Sequence, residues 1–130
     1  MNLNSIINKG LLEVYGPLVS FVVLCGFISN WIVKDILKYD SPDIIVAIIV
    51  IIAVMLGWLW WSYKIVKWKF WAFSQLDYEE SEELYIKSIE VGLIWPTGNI
   101  FNKTEIWTKS DKEKWSNLSQ EIQFIFKTIE

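Results

Sequence analysis

Between Trp95 and Trp115 the chain reads WPTGNIFNKTEIWTKSDKEKW. Lys103, Lys109, Lys112 and Lys114 stand there beside Trp95, Trp107, Asn99 and Asn102, with Thr97 and Ser110 adding hydroxyls. Indole rings stack on nucleobases, and ammonium groups and helix N-termini meet phosphates, so these residue types suit a small anionic nucleotide. Ser110 opens a helix in this reading, which would turn backbone N–H groups toward an anion. The candidate ligand-binding set is therefore Trp95, Thr97, Asn99, Asn102, Lys103, Trp107, Lys109, Ser110 and Lys112. The same residues also fit a domain in which Trp95 and Trp107 are core and the lysines are solvated.

Other chemistry is restricted by what is missing. The chain has no histidine, no arginine and one cysteine, Cys25. Ser-His-Asp and Cys-His arrangements are therefore impossible, as are an internal disulfide and cysteine–histidine zinc sites. Without arginine there is no bidentate phosphate clamp. Neither G-x-x-x-x-G-K-[ST] nor G-x-G-x-x-G occurs. The acidic run Glu79–Glu83 reads as a solvated helix face rather than a metal or paired-carboxylate site. A binding protein is expected, not an enzyme, with no cofactor and no metal. From Trp71 onward eleven acids face six lysines, which disfavours binding double-stranded nucleic acid through bulk charge.

The elements that must hold this segment begin with two apolar runs. Val14–Val33 and Ile44–Tyr63 are each 20 residues without a charge. At ~1.5 Å per residue each covers ~30 Å, the thickness of a bilayer's hydrocarbon core. A helix buried in a small soluble bundle keeps a polar face, and the second run has none. The first run is not a signal peptide, because Glu13 stands in its flank and the apolar stretch is long. Pro17 falls near the expected start of the first helix, where its missing N–H is harmless. Cys25 reads as a packing residue. Lys34–Asp43 is short, so the two helices form an antiparallel hairpin. Lys9, Lys64, Lys67 and Lys69 flank the chain-end side, against Lys34 and Lys38 in the linker, so both termini are expected in the cytoplasm.

Five of the nine tryptophans and three lysines crowd GWLWWSYKIVKWKFWAF, Gly57–Phe73. Trp58, Trp60, Trp61, Lys64, Lys67, Trp68, Lys69 and Trp71 read as a membrane-interface segment, with Trp31 at the opposite boundary. Beyond it the helix either bends along the membrane or meets the next domain. Gly26, Ser29 and Asn30 share a face of the first span. That face is either interfacial, beside Trp31, or lines an oligomer contact or pore. Ala53 and Gly57 would let another helix approach closely.

Residues 74–130 form the expected cytoplasmic domain, mostly helical, or α+β if residues 100–107 form a strand or hairpin. Asp77, Glu79 and Glu80 open a helix that carries Leu84, Tyr85, Ile89 and Leu93 and ends at Gly92. Pro96, Gly98 and Asn99 form a turn. Ser110 and Glu113 have capping-box spacing. Trp115, Leu118, Ile122, Ile125 and Ile129 then step by three and four as a two-heptad seam. A domain of roughly 60 residues buries only a thin core, so this seam is expected to join copies into a homo-oligomer.

The layout of a two-helix hairpin, an aromatic-lysine junction at Gly57–Phe73 and a small domain carrying WPTGNIFNKTEIWTKSDKEKW resembles the small membrane effectors of type III CRISPR systems that sense cyclic oligoadenylate. The likeness is one of architecture and carries over no binding residue. It implies an antiviral defence protein of the bacterial inner membrane with a tetrameric cytoplasmic domain. That domain would bind cyclic tetra-adenylate and perturb or permeabilise the bilayer. The alternative is a two-span immunity or superinfection-exclusion protein that binds a toxin or channel within the membrane.

Overall fold

A computed structural model describes residues 2–36, 38 and 43–128, and all the regular secondary structure among them is helical. The helices are α1 (Leu3–Gly10), α2 (Gly16–Trp31), α3 (Asp43–Phe73), α4 (Tyr78–Glu90), α5 (Lys109–Ser116) and α6 (Gln120–Thr128). Two wider π-type stretches, Leu11–Tyr15 and Ile32–Ile36, join α1 and extend α2 into one helical run of 34 residues. The first helix thus begins eleven residues before its charge-free window. Pro17 lies well inside it rather than near its start. The wide turn just before Pro17 is how the run accommodates a residue that cannot donate to the preceding turn.

Two helices are long and apolar enough to cross a membrane, Leu3–Ile36 and Asp43–Phe73. Only 6% and 17% of their most apolar stretches are buried, unlike the core helices of a soluble bundle. They pack antiparallel through small residues. Leu18 sits against Gly57, where an added Cβ would lie 3.1 Å from it, and Gly26 faces Val50. Extended along both helices, this register sets Val14 level with Trp61 and Val33 level with the first turn of α3. The two charge-free windows therefore overlie each other as one apolar slab. Ala53 is buried, and the Ser29 hydroxyl donates to the Gly26 carbonyl at 3.1 Å, so these small residues serve the hairpin itself. Asn30 and Trp31 are exposed at the far end.

Beyond the slab α3 continues unbroken into a helical head. Trp61, Ile65, Trp68 and Ala72 follow the 4-3-4 spacing of one helix face, and all are buried. Ser62, Val66, Lys69 and Phe73 form a second buried row beside them. These rows pack against Ile6 and Ile7 of α1, Leu84 and Tyr85 of α4, Leu93, Ile94, and Ile122 and Ile125 of α6. The core therefore takes residues from both sides of residue 73. Gly10 is the closest approach: an added Cβ would lie 2.5 Å from Trp68 Nε1 and 2.7 Å from Leu93 Cδ2. That indole is pinned by its hydrogen bond to the Ile6 carbonyl, 3.3 Å. Gly10→Ala, which by helix propensity alone would stabilise, is instead expected to lower the unfolding free energy by about 1–3 kcal/mol. Chemical denaturation in detergent micelles checks this.

Asp77 caps α4 by accepting from the Glu80 N–H at 2.9 Å, with Glu79 and Glu80 in the first turn, as the sequence predicts. The helix ends at Gly92, whose φ of 72° is the left-handed conformation that closes the last turn, with the Leu93 N–H bonded to the Ser88 carbonyl. Three expectations for the rest are corrected. No strand or hairpin occurs among the described residues: Ile100–Thr104 is one 3₁₀ turn, and the Ile106 N–H donates to the Ser62 carbonyl of α3 instead. The capping box uses Thr108 and Asp111, not Ser110 and Glu113, so α5 starts at Lys109. The expected long C-terminal helix breaks at Asn117–Ser119, so there is no continuous seam. Ile122 and Ile125 are buried in the chain's own core, and Trp115 and Leu118 are half-buried. Ile129 lies outside the described residues.

Candidate functional site

The head folds its aromatic residues around a buried ion pair. Lys69 reaches out of α3, is 5% exposed, and forms a salt bridge with Glu105 Oε1. Glu105 Oε2 accepts from the Trp107 indole N–H at 3.1 Å. The Lys69 ammonium also lies 5.7 Å from the centre of the Phe126 ring. Trp107, Trp115 and Phe126 follow one another edge to face, at 5.5 and 5.0 Å. Phe126 continues the chain to Phe73 and Tyr85.

A cleft of about 220 Å³ opens over this pair. Trp95 and Thr97 form one wall, Trp107 and Trp115 another, with Asn102 and Gly98 at the rim and Lys69, Glu105 and Phe126 in the floor. The walls are held locally. The Tyr85 hydroxyl accepts from the Thr97 N–H at 2.9 Å and pairs with its side chain at 2.7 Å. Asn102 donates to the Pro96 carbonyl at 2.7 Å, which leaves its own Oδ1 buried without a hydrogen-bond partner. Such a site suits a flat ring between indoles. Asn102 Oδ1 is an unused acceptor, and the Lys69 ammonium has donors beyond the one given to Glu105.

Trp95, Thr97, Asn102 and Trp107 of the sequence-derived set line this cleft. Asn99, Lys103, Lys109, Ser110 and Lys112 do not. Asn99 caps the 3₁₀ turn, accepting from the Phe101 N–H at 3.0 Å. Lys103, Lys109, Ser110 and Lys112 are exposed. The start of α5 is not open to an anion, because the Asp111 carboxylate already occupies it, taking the Thr108 N–H and hydroxyl. Lys69, Gly98, Glu105, Trp115 and Phe126 are cleft residues outside the sequence-derived set, which assigned Trp115 to the seam between copies. The signal for Lys69 was its place in the Ser62–Val66–Lys69–Phe73 row.

The other interface residues divide between head and slab. Trp61 and Trp68 are 3% exposed and face the core, not lipid headgroups. Lys67 bonds Asp111 and so staples α3 to α5. Trp58 donates to Thr104 at 3.2 Å and meets Phe101. Trp71 lies under the Lys9 ammonium, 3.8 Å from the ring centre. Trp31 and Trp60 are exposed, and Lys64, lying 4.9 Å from the Trp60 ring centre, is half-buried.

The Asp111 staple has a pH signature. Burial opposes ionisation most strongly, but hydrogen bonds from Lys67 and from the Thr108 side chain and backbone outweigh it and hold the carboxyl below its usual range. A folded-state pKa below the unfolded value means that the unfolded chain binds the extra proton. The stabilisation is therefore complete above the ordinary aspartate value of about 3.9 and is lost as pH falls through the lower folded value. The stability gap between the native chain and Asp111→Asn is expected to be constant from pH 7 to 5 and to shrink below about 4. Thermal melts across that range check it.

Comparison with protein-family models, with curated proteins and with solved structures found no match.

Proposed function

We propose that the chain is a ligand-responsive membrane effector. Helices α2 and α3 cross the bacterial inner membrane with both termini cytoplasmic, and the cleft takes one base of a cyclic oligoadenylate. The observation that carries this reading is that Lys69, in the cleft floor, belongs to the same unbroken helix that forms the second span. A ligand that bonds Lys69, or competes with Glu105 for it, acts directly on α3. It shifts the spans only if it binds one arrangement better than another.

A cleft of about 220 Å³ suits one base rather than a whole cyclic tetranucleotide. Four copies around cyclic tetra-adenylate would each read one adenine, with stacking worth about 1–3 kcal/mol per base. Phosphate contacts would come from exposed Lys109 and Lys112 at the junctions between copies, since the paired floor carries no net charge. The contact between copies would use surface other than Ile122 and Ile125, which the protomer buries itself. An antiviral role through perturbation or permeabilisation of the bilayer follows from the same reading. The lysine count supports cytoplasmic ends, four against two, although Lys67 and Lys69 are tied to acids of the head.

The alternative, an immunity or superinfection-exclusion protein that docks a toxin or channel within the membrane, has less support. Gly26, Ala53 and Gly57 are already used in packing the hairpin. The test is calorimetric titration of full-length protein in nanodiscs with cyclic tetra-adenylate. Saturable binding is expected, weakened about tenfold or more by Trp107→Ala through loss of stacking. Absence of binding, or binding indifferent to Trp107→Ala, overturns the assignment.

A further inference from the structure

The segment that walls the cleft has a second, outward face. Two hydrogen bonds of this segment and one at Gly92 just before it fix its height along the two long helical runs. The Tyr15 hydroxyl donates to the Gly92 carbonyl at 2.6 Å, Trp58 Nε1 to Thr104 at 3.2 Å, and the Ile106 N–H to the Ser62 carbonyl at 3.0 Å. Tyr15, Trp58 and Ser62 all belong to the charge-free windows. Trp58 lies five residues inside the boundary at Tyr63, about 7 Å at the rise of a helix. The turn from Ile100 to Ile106 therefore stands beside the edge of the apolar slab, not below it.

Its outward side chains match that height. Ile100 is 68% exposed and Ile106 41%, with Phe101 exposed between them and resting on Trp58 and Trp95 at 5.3 and 4.8 Å. Water gives no reason for this exposure, since burying one such side chain is worth about 1.5–3 kcal/mol. The turn also satisfies many of its own polar groups. Asn99 accepts from the Phe101 N–H and, through its carbonyl, from the Asn102 N–H. The Glu105 N–H bonds the Asn102 carbonyl, and the Thr104 hydroxyl the Phe101 carbonyl. Internal satisfaction is what backbone needs in order to approach hydrocarbon. Of its two charges, Glu105 is paired with Lys69, and Lys103 has no ion-pair partner among the described residues.

We infer that the Ile100–Ile106 turn is a lipid-inserted wedge. Ile100, Phe101 and Ile106 enter the boundary between acyl chains and headgroups of the leaflet from which α3 emerges, and Lys103 meets lipid phosphate. The inference rests on the reading that α2 and α3 cross the bilayer, but not on what the cleft binds. It also makes the wedge and the cleft wall two sides of one turn, so a shift of Asn102 or Glu105 would change the depth of insertion.

The test uses full-length protein with Cys25→Ser, bearing a single environment-sensitive fluorophore through Ile100→Cys, Leu59→Cys or Glu82→Cys, in liposomes brominated high on the acyl chains. Leu59 is an exposed span position and Glu82 a solvent-facing position on α4. The expected result is a similar loss of fluorescence at 100 and 59 and none at 82. Quenching at 59 without quenching at 100 overturns the wedge and leaves the spans intact. Quenching at neither overturns the membrane reading and the wedge with it. A probe at 100 that is shielded from aqueous iodide yet not quenched by the brominated lipid means that protein covers the turn, and this also overturns the wedge.

Discussion

Lys69→Met is expected to destabilise the head by about 3–5 kcal/mol, because it leaves the Glu105 carboxylate buried without its cation. The Glu105 side chain is only 4% exposed, and its remaining partner is the Trp107 indole N–H, a neutral donor. Desolvation dominates this balance, so removing one partner should cost far more than removing both. Lys69→Met with Glu105→Gln should recover much of the loss, since glutamine still accepts from Trp107 and no lone charge remains. Chemical unfolding of the native chain, the single variant and the double variant in micelles, followed by tryptophan fluorescence, measures this. A single substitution that changes stability by less than about 0.5 kcal/mol would place Lys69 at an exposed surface instead.

Trp68→Ala should cost a similar amount, about 3–5 kcal/mol, as expected for emptying a buried indole site. Trp68 packs against Phe73 at 6.5 Å and bonds the Ile6 carbonyl, so it clamps α1 onto α3. Trp68→Phe keeps most of the packing and forfeits the hydrogen bond, for about 1 kcal/mol. Trp60→Ala, on the exposed side of the same helix, should leave the head's unfolding free energy within about 0.5 kcal/mol. If Trp68 served only as a lipid-interface anchor, the two alanine variants would behave alike.

These two residues mark where the sequence could be read and where it could not. The two long apolar helices were legible because 20 uncharged residues have few alternatives, and α4 because Asp77, the acidic first turn and Gly92 all agree. Within Gly57–Phe73, Trp61 and Trp68 read as interface residues because tryptophan is one by composition, whereas the structure buries both. Their 4-3-4 spacing along Trp61, Ile65, Trp68 and Ala72, a core signal, competed with that. The C-terminal seam had the right period, but Asn117–Ser119 breaks it, and a helix break is a local event that heptad counting does not see. Trp95, Thr97, Asn102 and Trp107 were legible as a group because aromatics and amides cluster at Trp95–Trp107. Lys69 and Phe126 were not, because they lie 26 and 31 residues away from that cluster's first member, Trp95, in sequence and meet it only through α3 and α6.

The central claim is physical: two charge-free windows lie level in one antiparallel hairpin, and that slab sits in lipid while α3 carries its lower half into the head. Alkaline carbonate extraction of membranes from cells making the full chain, followed by gradient flotation, tests it most directly. The protein should stay with the membrane and float with it. Recovery in the soluble fraction, without detergent and as a compact monomer, would contradict the account.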